Sequence, residues 1–516
     1  MELFSSLLSS PFGLLLTTLV TIGFLKFVTS VYRALIYWKN RGVPQPGAWS
    51  FVTAAKLFLR RTSFAEHIIA IYNLVPDVKY YGTWDMNRPA IFLRDPELIK
   101  DVMVKQFEHF HDHRNFIDER VDPLFARNIF SLRGDRWREI RNTVSPTFTT
   151  SKMKVMFDLI SKCSTDFVNY LVDHPELCDE VDTKQIFRRY TNDVIATTAF
   201  GISVNSMKDQ NNEFYLRGIE ASKTFSGSLM LFKFMFMTSF PRIAKWLGMT
   251  GFASPSMAKF FKRIVEETIR TREEQGIVRP DMIHILMQAR DKDPDNQKVT
   301  LDDIVAQAFG FFLAGFDTTS TLMCFVAHEL AVNPEVQDRL REEVEQHLDE
   351  RKEISYEALS KMTYMDMVLS ETLRKYPPAV MTDRLCTKSF ELPPSKPGCK
   401  SVLIESNTVM LIPIYAFHYD LKYFPNPNKF DPERFSEENK ENIVSHTYLP
   451  FGEGPRKCIG NRFALMETKI LIAHFLQKFI LKRTRKTIEP IVFDRKEFNL
   501  LPQGGFWISL EKKEPS

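Results

Sequence analysis

The residues with the plainest chemical purpose lie together near the carboxyl end. Phe451-Gly452-Glu453-Gly454-Pro455-Arg456-Lys457-Cys458-Ile459-Gly460 sets one cysteine between glycines, two residues after an arginine and seven after a phenylalanine. A loop of this kind can present a thiolate to a haem iron, and that ligand pushes electron density into the metal and favours O–O cleavage. Gly454 and Gly460 are expected to let the backbone approach a flat group and to take turn dihedrals closed to other residues. Backbone N–H groups of such a turn can point at the sulfur and hold its negative charge. The planar fork of Arg456 suits a carboxylate such as a haem propionate. Cys458 is therefore read as the metal ligand, with Phe451 and Arg456 in the same cofactor site. A buried structural cysteine in a glycine-rich turn is the competing reading.

The elements that must position this loop can be sought upstream. Leu301 to Glu329 has few charges and reads as a long helix, with Thr300 and Asp303 as its cap. Its middle, Ala314-Gly315-Phe316-Asp317-Thr318-Thr319, sets an acid and a hydroxyl beside a small-residue gap. Both groups are costly to bury without partners, and together they can hold and pass protons. Alternatively the hydroxyls bond back to the preceding turn. Trp137 and Arg141 are four apart on one helix face, so both can reach one carboxylate. Arg133, Arg136 and Arg138 make that neighbourhood basic, and a solvated basic face explains the pair equally well. Glu371 and Arg374, three apart, can pair on a helix, as ordinary surface residues do. Arg384 follows in a strand-like segment behind Tyr376-Pro377-Pro378, and Phe430-Asp431-Pro432-Glu433-Arg434-Phe435 comes later.

Taken in order from Trp137 to Gly460, these strings resemble the cytochrome P-450 family of haem-thiolate monooxygenases. The extension Asn461-Arg462-Phe463-Ala464-Leu465-Met466-Glu467 is most similar to the insect microsomal members. The resemblance implies a mainly α fold with small β-sheets (α+β) and a single catalytic domain. It implies a b-type haem (heme b) with Cys458 as axial thiolate. Trp137, Arg141, Arg456 and Arg384 would hold propionates, with His418 near one of them. Thr318 and Asp317 would manage protons for heterolytic O–O cleavage, while Glu371, Arg374 and Arg434 would form a structural network bracing the approach to the loop. Family position puts Phe116, Ile117, Phe309, Phe312, Ala314, Val380 and Phe506 at a substrate pocket, with Phe309, Phe312 and Ala314 roofing the haem. The Phe- and Met-rich stretch from Phe225 to Met249 reads as membrane contact or an access channel, with core packing as the alternative. Leu421 departs from a frequent proline.

Nothing resembles a flavin or nicotinamide fingerprint, so electrons must come from another protein. By resemblance this is an NADPH-dependent flavoprotein reductase, with cytochrome b5 as a second donor. Arg133, Arg136, Arg138 and Lys457 are expected as the docking face. The implied reaction inserts one oxygen atom from dioxygen into a lipophilic substrate, such as a plant toxin or insecticide. Oxidation of an endogenous lipid, hormone or pheromone precursor is the alternative; a haem-thiolate isomerase or lyase, or a haem sensor, is more remote.

The whole chain accommodates this reading. Its 516 residues show no dividing linker or repeat, and 44% hydrophobic with 26% charged residues is a folded composition. A formal net charge of +4 gives no argument for nucleic acid. Six cysteines without a C-x-x-C pair exclude a zinc ribbon or disulfide framework. Leu3 to Leu25 carries no charge, and as a helix it would rise roughly 34 Å against a hydrocarbon core of about 30 Å. Lys26, Arg33, Lys39 and Arg41 follow it, which puts the body in the cytosol, and the resemblance implies the endoplasmic reticulum as the membrane. A cleaved signal peptide would want its charges on the other side. The expected division is residues 1–38 as anchor and flank, 39–50 as a proline-containing joint, and 51–516 as the catalytic domain.

Overall fold

The computed structural model describes residues 11–85, 88–223, 230–279, 281–292 and 299–514. The helices that frame the site are α1 (Pro11–Asn40), α2 (Gly134–Val144), α3 (Thr150–Asp173), α4 (Thr183–Ile195), α5 (Pro255–Gln275), α6 (Leu301–Val332), α7 (Thr363–Lys375) and α8 (Asn461–Lys478). The strands are β1 (Tyr80–Asp85), β2 (Arg88–Leu93), β3 (Val181–Asp182), β4 (Thr382–Leu385), β5 (Phe390–Leu392), β6 (Val402–Ile404), β7 (Val409–Ile412), β8 (Phe479–Arg483) and β9 (Trp507–Lys512). They form small sheets in the orders β1-β2-β7-β4, β3-β9-β8 and β5-β6. The expected mainly helical α+β class is observed.

The central element is α6, and it starts where its cap requires. Thr300 Oγ1 accepts the Asp303 N–H at 3.2 Å, and the Asp303 carboxylate accepts the Thr300 N–H at 2.9 Å, a closed capping box. From Thr319 to Val332 every residue is buried. Among the described residues α6 is the helix long and apolar enough to cross a membrane. Its apolar surface is instead spent on α4, α5, α7 and α8, which pack around it.

The amino-terminal segment is one continuous helix, α1, exposing Leu15, Ile22, Leu25, Val28 and Tyr32. Residues 1–10, and with them the start of the expected anchor, lie outside the described residues. The far end of α1 belongs to the body. Trp38 is 1% exposed and its indole donates to Thr83 O at 2.7 Å on β1. Trp84 donates back to Ala34 O at 3.1 Å, and Gly82 N–H to Pro44 O at 2.8 Å. A Cβ on Gly82 would lie 2.2 Å from the Trp38 ring, so only glycine lets the tryptophan seat. The expected boundary at residue 38 thus falls inside a packed unit.

Candidate active site

Cys458 lies between the single turn Gly454–Arg456 and α8. Its N–H closes the loop by donating to Phe451 O at 2.9 Å. Gly454 has φ +71°, and a Cβ there would stand 2.0 Å from Met103 O, delivered by the π-helical turn Asp101–Lys105. This position needs glycine on two counts. Gly460 departs from expectation: its φ is −91° and a Cβ would meet nothing within 4 Å. The second left-handed glycine of the loop is Gly452, φ +67°. Burial pushes the Cys458 thiol up, while the Gly460 N–H, Arg141 and Lys457 pull it down. The cysteine is nonetheless exposed by surface area. A group both accessible and enclosed faces an internal hollow.

A second surface of the same kind runs along α6. Ala314 and Thr318 are exposed and Gly310, Phe311 and Gly315 half-exposed, while Phe312, Phe316, Asp317 and Thr319 are buried. Three-and-four spacing makes these one helix face. Thr318 Oγ1 donates to Ala314 O at 2.6 Å, the back-bond expected as the alternative, which leaves its lone pairs turned outward. Ile459, beside Cys458, packs into the same apolar cluster as Phe309 and Phe312.

Asp317 lies beside this face, buried and paired. Arg188 approaches Oδ1 with Nε at 2.9 Å and Nη2 at 2.6 Å, and Lys184 Nζ stands 3.0 Å from the same oxygen. Asn499 donates to Oδ2 at 3.3 Å. Burial pushes the carboxyl up, but Lys184 and Arg188 outweigh it and hold it down to about 2. Asp317 is therefore a carboxylate at neutral pH. Lys184 and Arg188 escaped the sequence reading; their four-residue spacing on α4 is the only trace they leave.

The cysteine loop is ringed by guanidinium groups. Arg141, on α2, donates to Lys457 O at 2.8 Å. Arg456 lies over the Trp137 ring at 4.0 Å and donates to His111 O and Leu132 O, both at 2.8 Å, and to Asp112 Oδ1 at 3.3 Å. Arg384, 1% exposed, donates to Asp383 O at 2.7 Å and Glu453 O at 3.3 Å, and its Nε has no partner. Arg133 Nη2 is buried and also unpartnered. Burial lowers Arg456 to about 9 and Arg384 to about 10, and lowers Arg141 and Arg133. The nearby carboxylates are already engaged, Asp112 by Arg456 and Asp383 by the Arg114 N–H at 2.7 Å. This donor set is short of acceptors. A thiolate and the two propionates of a haem are the anions that would complete it, so the residues fit that group.

Glu371, Arg374 and Arg434 meet in the fold. Arg374 forks onto Glu371 at 2.7 and 2.8 Å, both fully buried, and Arg434 Nε stands 3.4 Å from Glu371 Oε1. Arg374 also donates to His418 O at 2.9 Å and Pro427 O at 2.8 Å. His418 contacts Arg374 O at 3.0 Å through Nδ1, and Leu449 N–H donates to its Nε2 at 3.0 Å. Burial holds this imidazole down to about 3. It is a neutral strut between α7 and the haem-loop approach, and not the propionate neighbour that was expected.

The pocket residues divide. Ala314 lies on the open face of α6. Phe116 is half-buried and stacks on Phe130 at 5.4 Å, with Ile117 buried beside it. Phe309 and Phe312 lie on the other side of α6, packed on Phe261 at 5.3 and 5.0 Å, and do not roof the site. Phe311, stacked on Phe148 at 5.8 Å, stands on the open face in their place. Val380 is buried and its carbonyl accepts the Tyr415 N–H. Phe506 is core, set edge-on to Phe325 at 4.8 Å. The expected docking cluster also changes. Arg136 pairs with Glu139 and Asp303, and Arg138 with Glu108, whereas Lys457 is exposed.

Comparison with known proteins agrees with this geometry. A family model described as Cytochrome P450 matches residues 44–508. The chain is 46% identical over 507 residues to cytochrome P450 9e2 of Blattella germanica, covering 92% of this chain and 94% of that one. It is 40% identical to probable cytochrome P450 9f2 of Drosophila melanogaster (92% and 95% covered) and 35% identical to cytochrome P450 6j1 of Blattella germanica (97% and 99%). A cysteine facing a hollow, ringed by anion-seeking guanidiniums and followed by matches that run through the body of the chain, has one reading: the protein belongs to the cytochrome P450 family, among its insect-type monooxygenases.

Proposed function

We propose that Cys458 is the axial ligand of the haem that this family binds through a cysteine thiolate, and that the protein oxidises lipophilic compounds with electrons from an NADPH-dependent reductase. When bound, the haem supplies the redox centre that activates dioxygen. The observation that carries the reading is the ring of Arg141, Arg384 and Arg456 around a cysteine that faces a hollow, where Arg384 Nε and Arg133 Nη2 find no partner among the described residues. Arg141 also fixes the loop through Lys457 O, and Trp137 supports Arg456. Thr318 is exposed on the open face of α6 with its hydroxyl proton given to Ala314 O, so its lone pairs can accept a proton-bearing group of water or substrate. Asp317 cannot give up a proton while Lys184 and Arg188 hold it, so proton delivery requires that pairing to loosen.

Apolar walls such as Phe311 and Phe116 suit lipophilic substrates, and the likeness to insect relatives favours xenobiotics over an endogenous lipid; a substrate panel separates the two. Membrane association at the endoplasmic reticulum fits the exposed apolar surface. Helix Trp49–Phe58 buries no residue, and Phe240, Ile243, Trp246 and Leu247 are also exposed. Cytochrome b5 is a further electron donor to test.

The deciding experiment is the carbon monoxide difference spectrum of the reduced protein beside Cys458→Ala. A strongly red-shifted Soret band, lost in the variant, is expected. An unshifted band from folded, haem-loaded wild type refutes thiolate ligation. NADPH-independent turnover would indicate an isomerase, and full function in Thr318→Ala a sensor.

A further inference from the structure

Helix α8 carries an acid with no part in the chemistry above. Glu467 lies nine residues after Cys458, is 0% exposed, and neither carboxyl oxygen has a hydrogen-bond partner among the described residues. The facing helices offer two more polar atoms in the same condition. Tyr190 OH on α4 and Ser164 Oγ on α3 are buried and close to one another, and neither bonds any other group among the described residues. Glu467 bears electrostatically on Tyr190, and α3, which carries Ser164, packs against both α4 and α8. Aromatic rings close that point: Phe167 lies 5.4 Å from Tyr190 and 6.0 Å from Phe475, and Phe187 lies 5.6 Å from Phe475.

The buried basic residues of these helices are engaged elsewhere. Lys469 pairs with Asp366 at 2.6 Å, Arg189 donates to Ser206 O at 2.6 Å, and Lys184 is held by Asp317. Burial alone acts on the Glu467 carboxyl and pushes it well up, with no cation to oppose it. The other titratable groups nearby are Cys163, pushed up by burial to about 12, and beyond it Asp193, pushed up by burial to about 6, and the exposed Asp166. None of these supplies a positive charge, and Lys162, next to Cys163, is exposed to solvent. An unpaired ionised carboxylate in such a place is prohibitively costly, whereas a neutral acid needs only hydrogen bonds. A carboxylic acid, a phenol and a hydroxyl together offer donors and acceptors for a bridging water, which needs two to four polar partners.

We propose that Glu467, Tyr190 and Ser164 form a buried water-binding site in which Glu467 is a neutral carboxylic acid bridged by ordered water to the two hydroxyls. This keeps the helix behind Cys458 free of a negative charge. The inference does not depend on which substrate the hollow takes.

The test is infrared difference spectroscopy of the full-length haem-loaded protein, wild type minus Glu467→Gln, across the neutral pH range. A protonated-acid carbonyl band, present in wild type throughout the range and absent from the variant, is expected. A band that vanishes as pH rises within the range, or the loss of a carboxylate band instead, overturns the proposal. Tyr190→Phe, which removes only the hydroxyl, keeps the test open if Glu467→Gln does not fold. It should shift the acid band, and an unmoved band rules out the shared water.

Discussion

Gly454 and Gly460 look equivalent in the sequence and are not equivalent in the fold. Gly454 must take a left-handed φ and let the Met103 carbonyl approach, so Gly454→Ala is expected to cost about 1–3 kcal/mol or more and to lower haem retention. Gly460→Ala meets open space at an ordinary φ and should change the stability of the haem-free protein by less than about 1 kcal/mol. Chemical denaturation of both variants checks the contrast. The candidate-site side chains legible in the sequence shared a reason: Cys458, Arg456, Trp137 and Arg141, which the fold brings together, stand at short, fixed spacings within single segments. Phe309 and Phe312 misled because an apolar helix buried on most sides gives no periodicity to tell its open face from its packed ones. Phe311 carries the same side chain one position away. Lys184 and Arg188 were illegible because they meet Asp317 across more than a hundred residues of chain.

Helix α7 acts as a clamp on a segment that has little regular structure of its own. Arg374 holds Glu371, His418 O and Pro427 O, while Glu371 accepts the Asp431 N–H at 3.0 Å, so one buried pair fixes the chain on both sides of Tyr419 to Lys429. Removing one partner strands the other, and Arg374→Ala should cost about 3–5 kcal/mol and yield protein poor in haem. Arg434→Ala should cost less, because Arg434 keeps 13% of its side-chain surface and makes a longer contact of 3.4 Å. Haem content and melting temperature rank the two. The Glu-x-x-R motif was visible in the sequence, but its partners were not: backbone carbonyls leave no signature in residue identity. His418 illustrates the same limit, since the resemblance put it near a propionate and its burial between two backbone groups makes it neutral.

The molecule as a whole places opposite charges around the hollow with different pH responses. Asp317 sits at about 2 in the fold against an ordinary 3.8, so its stabilisation is fully present above about pH 4 and is lost as pH falls through about 2. The pH-dependent part should be about 2 kcal/mol. Asp317→Asn should be less stable than wild type at neutral pH, with the gap narrowing on acidification through that window in unfolding titrations. The fold class was legible from the order of motifs along the chain, because that order reflects one architecture. The junction between α1 and the body was not, because proline and glycine at 44–47 suggested a joint where the packing shows none. Trp38, seated under Gly82, has a practical consequence for shortening the chain. A soluble form cut at the proline segment would discard a tryptophan from the interior and leave a hole the size of an indole, worth about 3–5 kcal/mol. One begun upstream of Ala34 should keep the melting temperature of the full-length protein.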